Sequence, residues 1–186
     1  MITTFVVGPK NSYDTIEEDF GLFNTTEEEY GVDFYKHIID QYTLFVELMD
    51  RVTQRRLNTN TFFLTANTAL IAALSGLSTT RILSEQNYLI IYCLAALAGV
   101  LLCVEWRGII KSYTQLNQGK FAIIHQVESR LPLSMFKAEW NALGAGTNKK
   151  LYKPITKTER LIPIIFMFLY VSLPVSSIFI FSGLIP

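Results

Sequence analysis

Two histidines, His37 and His125, and two cysteines, Cys93 and Cys103, are the residues best suited to nucleophilic or soft-metal chemistry. His125 stands three residues before Glu128, but the second histidine of an H-E-x-x-H zinc helix is missing. Cys93 and Cys103 lie in one apolar run; on a helix they are roughly 15 Å apart along the axis, too far to bridge. No zinc-ligand spacing is present, so both read as apolar packing residues. Glu105, Glu128, Glu139 and Glu159 stand singly and read as salt-bridge partners of Arg107, Arg130 or Lys137. Without a nucleophile elbow, a phosphate-binding loop or a dinucleotide fingerprint, the chain reads as non-enzymatic, with no catalytic residue, cofactor or metal.

The more informative chemistry is a set of amides and hydroxyls inside an apolar stretch. Thr61, Thr68 and Ser75 are seven apart, and Asn60 and Asn67 precede two of them by one position. The spacing puts all five on one face of a helix. Small residues accompany them: Ala69 with Ala73, Ala72 with Gly76, and later Ala95 with Gly99. In hydrocarbon such a face lets helix backbones approach closely while the polar groups bridge them, each bridge contributing about 0.6–2 kcal/mol. The stripe reads as glue within or between protomers; the alternative is a lining for a water-filled path through an oligomer. The predicted spans carry no charge, which removes the usual signals of proton relays and ion-coupled transport.

The elements that must position these residues follow from composition. Half of the 186 residues are apolar and mean hydropathy is +0.29, which points to a membrane protein. Three segments are long and apolar enough to span a bilayer: 61–77, 88–104 and 161–185. Residues 1–50 hold two bases against eleven acids, and the remainder is basic. The acidic front argues against nucleic acid, and the basic part suits anionic headgroups. Five Lys or Arg fall in 1–60, one in 78–87 and ten in 105–160. That bias places the N-terminus and 105–160 in the cytoplasm and the 78–87 hairpin and C-terminus outside. Arg51, Arg55 and Arg56 flank the first span, while Trp106 and Tyr88 fit the two interfaces.

Residues 1–25 read as an acidic, disordered tail. Thr26 and Glu29 form a capping box, from which a helix over 26–60 is expected to lead into the first span. Ile38, Tyr42, Phe45, Met49 and Val52 step by four and three, as do Ile109, Tyr113, Leu116, Lys120, Ile123 and Val127. Both sets read as heptad-like seams, so the first two spans are expected to extend as long antiparallel helices. Pro132 ends the second, and a short amphipathic helix capped by Ser134 and stopped at Gly144 follows. Pro163 is expected near the start of the third span and Pro174 at a kink in its middle.

Three stretches together resemble a known family: "DQYTLFVELMDRVTQRRLNTNTFFLTANTAL" (40–70), "SYTQLNQGKFAIIHQVESRLPLSMFKAEWNALG" (112–144) and "KLYKPITKTERLIPIIFMFLY" (150–170). They are similar to the RipA-like family of small octameric bacterial inner-membrane proteins, across about 35–175. The matching positions are Arg55, Arg56, Asn60 and Asn67 around the first span. Leu116, Asn117, Lys120, Glu128 and Pro132 match in the middle helix, followed by Glu139, Trp140, Tyr152, Glu159 and Pro163. The layout also resembles, more distantly, the SLATT-type membrane effectors of bacterial defence. The first resemblance implies a homo-octamer in the bacterial inner membrane with a helical cytoplasmic assembly, in which Asn117, Lys120, Glu128, Glu139 and Trp140 pack.

The expected fold is therefore an all-α integral membrane protein forming a homo-oligomeric ring, with membrane lipids and copies of itself as partners. The expected function is a scaffold or platform at the inner membrane. A channel or pore-forming effector gated by its cytoplasmic helices is the alternative.

Overall fold

The computed structural model describes residues 21–80, 85–148 and 150–181, without the side chains of 78–80, 85–86 and 177–181. Every regular element among them is an α-helix: α1 (Glu27–Tyr30), α2 (Phe34–Thr80), α3 (Glu85–Glu128), α4 (Met135–Ala142) and α5 (Ile155–Phe181). The tail up to residue 20, most of the expected disordered segment, and positions 81–84 of the expected hairpin lie outside the described residues.

Helix α2 runs for 47 residues because nothing in it breaks the hydrogen-bond ladder; it holds no proline and one glycine, Gly76. Helix α3 likewise has no proline before Pro132. The capping box forms at Thr26: its hydroxyl accepts from Glu29 N at 3.3 Å, and Glu29 Oε2 accepts from Thr26 N at 3.4 Å. The helix it starts is not α2, however. It ends after one turn at Gly31, whose φ of 89° is readily adopted by glycine, and α2 begins three residues later. Three helices, α2, α3 and α5, contain stretches long and apolar enough to cross a membrane.

The chain forms two units. The first comprises Met1–Asp50 and Gln115–Lys153. Its interior includes Phe34, Met49, Ile124 and Glu128. None of the expected α2 seam residues, Ile38, Tyr42, Phe45, Met49 and Val52, is exposed. The expected α3 seam is shifted by one position. Leu116 is 47 % exposed, whereas Ile110, Ile124 and Glu128 are buried. A seam drawn through mainly apolar residues misses the buried carboxylate of Glu128, which takes the place given to Val127.

The second unit comprises Arg51–Thr114 and Pro154–Pro186. One core cluster is Phe63, Trp106 and Ile110, with Ile162 and Phe166 against it; another is Ala96, Cys103 and Tyr170, with Leu70, Val100 and Leu173. Gly99 makes the second cluster possible. A Cβ there would stand 2.4 Å from the Tyr170 ring, so only a residue without a side chain admits the tyrosine. Helix α5 begins six residues ahead of the expected span, which puts Pro163 two turns inside it rather than near its start. Proline has no N–H, so Pro163 and Pro174 cannot bond the carbonyls four residues earlier, at Glu159 and Tyr170. Both of those residues carry the unit's polar contacts.

Candidate functional site

The second unit carries two polar layers, each centred on an asparagine of α2. In the first, Asn60 Oδ1 accepts from Trp106 Nε1 at 2.9 Å, and Asn60 Nδ2 donates to Glu159 Oε1 at 3.0 Å. The other oxygen of Glu159 pairs with Arg56, which also donates to Thr156 Oγ1 at 3.2 Å. One amide thus joins α2, α3 and α5. The Arg56 and Glu159 side chains are 16 % and 14 % exposed, so solvent screens the pair far less than a surface bridge. Trp106 is buried, with its ring stacked on Phe63 at 5.7 Å and 9° between planes. It is an interior residue of the protomer.

The second layer lies seven residues along α2, about 10 Å deeper into the apolar region. Asn67 is wholly buried. Its Oδ1 accepts from the Tyr170 hydroxyl at 3.0 Å and from Cys103 Sγ at 3.4 Å. Its Nδ2 donates to Phe63 O at 2.7 Å, and the Tyr170 hydroxyl also reaches Asn67 O at 3.3 Å. The geometry obeys the rule that a polar group in hydrocarbon is satisfied inside the protein. Cys103 is a member of this layer and of the core, while Cys93 is exposed.

The hydroxyls of the stripe are placed differently. Thr61, Thr68 and Ser75 are exposed on the protomer. Thr61 donates to Leu57 O at 3.0 Å and Ser75 to Ile71 O at 2.9 Å, the back-bonding that hides a hydroxyl in its own helix. Thr65 and Ala72 are exposed as well. Thr61, Thr65, Thr68, Ala72 and Ser75 step by four and three, one narrow face of small side chains. The five stripe residues therefore have two environments, amides inward and hydroxyls outward. One residue is 100° of helical rotation, enough to carry a neighbour from one to the other.

In the first unit the functional side chains converge on Glu128. Its carboxylate accepts from Phe136 N at 2.9 Å, Lys137 N at 3.3 Å and the Tyr42 hydroxyl at 3.1 Å. Two of those donors are free N–H groups of the first turn of α4. Glu128 therefore serves as the cap expected of Ser134, which makes no side-chain cap and instead donates to Glu128 O at 3.4 Å. Burial, then the hydrogen bond to Glu128, pushes the Tyr42 hydroxyl up to about 12. Burial lowers the His125 pKa, against an opposing pull from Glu128.

Lys120 holds its ammonium 4.7 Å from the Phe45 ring centroid, a cation–π contact that accommodates a lysine in the seam. Trp140 meets Tyr152 edge to face at 6.0 Å, and its indole closes over Gly146. Asn117 is half-buried and Glu139 exposed. Arg51 and Arg55 are exposed, and only Arg56 of the flanking arginines turns inward. Among the described residues the ion pair is Arg56–Glu159, not the expected pairings of Glu105, Glu128, Glu139 and Glu159 with Arg107, Arg130 or Lys137. The layered contacts with Glu159 and Tyr170 are separated by about a hundred residues in the chain, and no local signal could have supplied them.

No curated protein and no solved structure matches the chain. A family model does: that of the octameric membrane protein family, 8xMP, matches residues 39–180 and so includes both polar layers and the Glu128 cluster. The chain belongs to this family.

Proposed function

For this member of the octameric membrane protein family, we propose that the homo-oligomeric membrane assembly works as a non-enzymatic scaffold, a platform of packed helices in the bacterial inner membrane. The observation that carries this reading is the burial of Asn67, whose amide is spent on Tyr170, Cys103 and Phe63 O inside one protomer. The strongest polar group of the stripe is thereby unavailable to line a path. The outward face of Thr61, Thr65, Thr68, Ala72 and Ser75 then serves as the seam to the next copy, since small side chains allow close helix contact. The N-terminus and the Glu128 cluster are on the cytoplasmic side, because Lys and Arg in 1–60, chiefly Arg51, Arg55 and Arg56 beside the span, and in 105–160 outnumber the single Arg81 of 78–87.

The second reading, a channel or pore-forming effector gated by its cytoplasmic helices, is favoured by that same exposed line of hydroxyls, which would face water if the copies left a central opening. Ion flux through liposomes holding the purified assembly separates the two. The scaffold reading expects flux equal to that of empty liposomes across voltage and pH. Flux that Thr68→Val alters while the subunit count stays unchanged contradicts it.

A further inference from the structure

Where α3 and α5 pass from apolar to charged sequence, the second unit has a cleft of about 290 Å³ lined by Val104, Arg107, Gly108, Lys111, Arg160 and Met167. Val104, Arg107, Gly108 and Lys111 are at positions i, i+3, i+4 and i+7 of α3, a continuous face. Arg160 and Met167 are seven apart on α5, so the cleft runs about 10 Å along both helices. Its two ends differ. Val104 and Met167 lie within the spans and are apolar; the three cations gather at the charged end. Arg107, Lys111 and Arg160 are exposed, and among the described residues none of them makes an ion pair. Glu159, next to Arg160 in the chain, is already engaged by Arg56 and Asn60. Gly108 leaves the wall between the cations open, for a Cβ placed there meets nothing within 4 Å.

We propose that this cleft is a binding site for the headgroup of an anionic phospholipid, its phosphate held by Arg107, Lys111 and Arg160 and its glycerol and first acyl carbons against Val104 and Met167. The chemistry is that of basic pockets between membrane helices at the headgroup level. Guanidinium groups match phosphate oxygens with paired N–H donors, and the lysine adds a point charge. A free phosphate would satisfy the basic end and have no use for the apolar one; a phospholipid fits both. The site is independent of whether the assembly conducts.

The test is native mass spectrometry of the purified assembly in non-ionic detergent, titrated with phosphatidylglycerol or phosphatidylethanolamine at fixed ionic strength. Phosphatidylglycerol is expected to bind up to one per protomer and about ten-fold more tightly than the zwitterionic lipid, the scale set by a few headgroup-level cations. The joint replacement Arg107→Gln with Arg160→Gln should abolish that preference. Gly108→Leu is the sharper variant: it projects into the cleft, keeps every charge, and its Cβ meets nothing within 4 Å. It should weaken phosphatidylglycerol by a similar factor, and the same spectrum reports that the subunit count is intact. If either variant disassembles, Lys111→Gln, on an exposed side chain, takes its place and should lower the preference. Wild-type-like binding by an intact Gly108→Leu assembly would reduce the site to diffuse surface charge and overturn the proposal. So would equal binding of the two lipids, or displacement of the lipid by an equal concentration of inorganic phosphate.

Discussion

Asn67→Leu removes the hub of the deeper polar layer while keeping a side chain of similar size, so its cost can be worked out contact by contact. The hydrogen bond to Phe63 O contributes little, since that carbonyl can still accept from the helix ladder. The Cys103 contact, at 3.4 Å from a weak thiol donor, also contributes little. What remains is the Tyr170 hydroxyl, which loses an acceptor at 3.0 Å but keeps Asn67 O at 3.3 Å as a second one. Membrane hydrogen bonds measured by double-mutant cycles contribute about 0.6 kcal/mol on average and up to about 1.7. We therefore predict a coupling of about 1 kcal/mol between Asn67→Leu and Tyr170→Phe, toward the middle of that range because the tyrosine is only partly orphaned. The assay is reversible unfolding of the four proteins in mixed micelles at fixed protomer concentration, followed by fluorescence of the buried Trp106 in a background where Trp140 is replaced by phenylalanine. A coupling indistinguishable from zero, with both single variants still folded, would refute the claim that Asn67 ties α2 to α5.

Gly99→Ala should destabilise by about 1–3 kcal/mol because its methyl collides with the Tyr170 ring, whereas Gly108→Ala and Gly119→Ala, which have nothing within 4 Å, should be neutral or stabilising by a few tenths; the same unfolding assay ranks them. Glu128→Gln keeps one acceptor oxygen but loses the charge facing three donors, and should cost about 1–3 kcal/mol, with faster amide hydrogen exchange at Phe136 and Lys137. The lowered pKa of half-buried His125 sets a pH dependence. The unfolded chain takes the proton first, near pH 6.5, so this contribution is complete above that value and is lost as pH falls through the lower folded pKa; His125→Gln should flatten that part of the stability profile. Tyr42 works in the opposite sense, its contribution being present below pH 10 and lost as pH rises toward about 12, which Tyr42→Phe removes.

The candidate spans were legible because segments of that length, mostly apolar and free of charge, admit few other readings, and the α2 seam because its members are all apolar and regularly spaced. The α3 seam was read one position off, since Glu128 and Asn117 occupy places that an apolar pattern assigns to other residues. The polar stripe was legible as a set, but its division was not. Asn67 and Thr68 are adjacent in sequence and similar in polarity, and only the positions of Tyr170 and Cys103 decide which of them turns inward. Capping of α4 by Glu128 was hidden for a related reason. Ser134 has the right type at the right place, but a buried carboxylate from the preceding helix already faces the free N–H groups. The break at Gly31 is not legible in the sequence, because a single glycine is tolerated inside a helix and only its φ of 89° shows that the chain turns there.

In the proposed assembly the α2 face running from Thr61 to Ser75 meets a neighbouring protomer and not water. A single cysteine at Thr68, in a chain whose Cys93 and Cys103 are replaced by serine, tests it in native membranes. Such a contact predicts no reaction with a charged, water-soluble thiol reagent and, once the cysteine carries a membrane-permeant, thiol-reactive photo-cross-linker, capture of a neighbouring copy, whose different surface faces Thr68 across a ring interface. Rapid labelling by that reagent without cross-linking would contradict it, and would make the stripe the wall of an aqueous path.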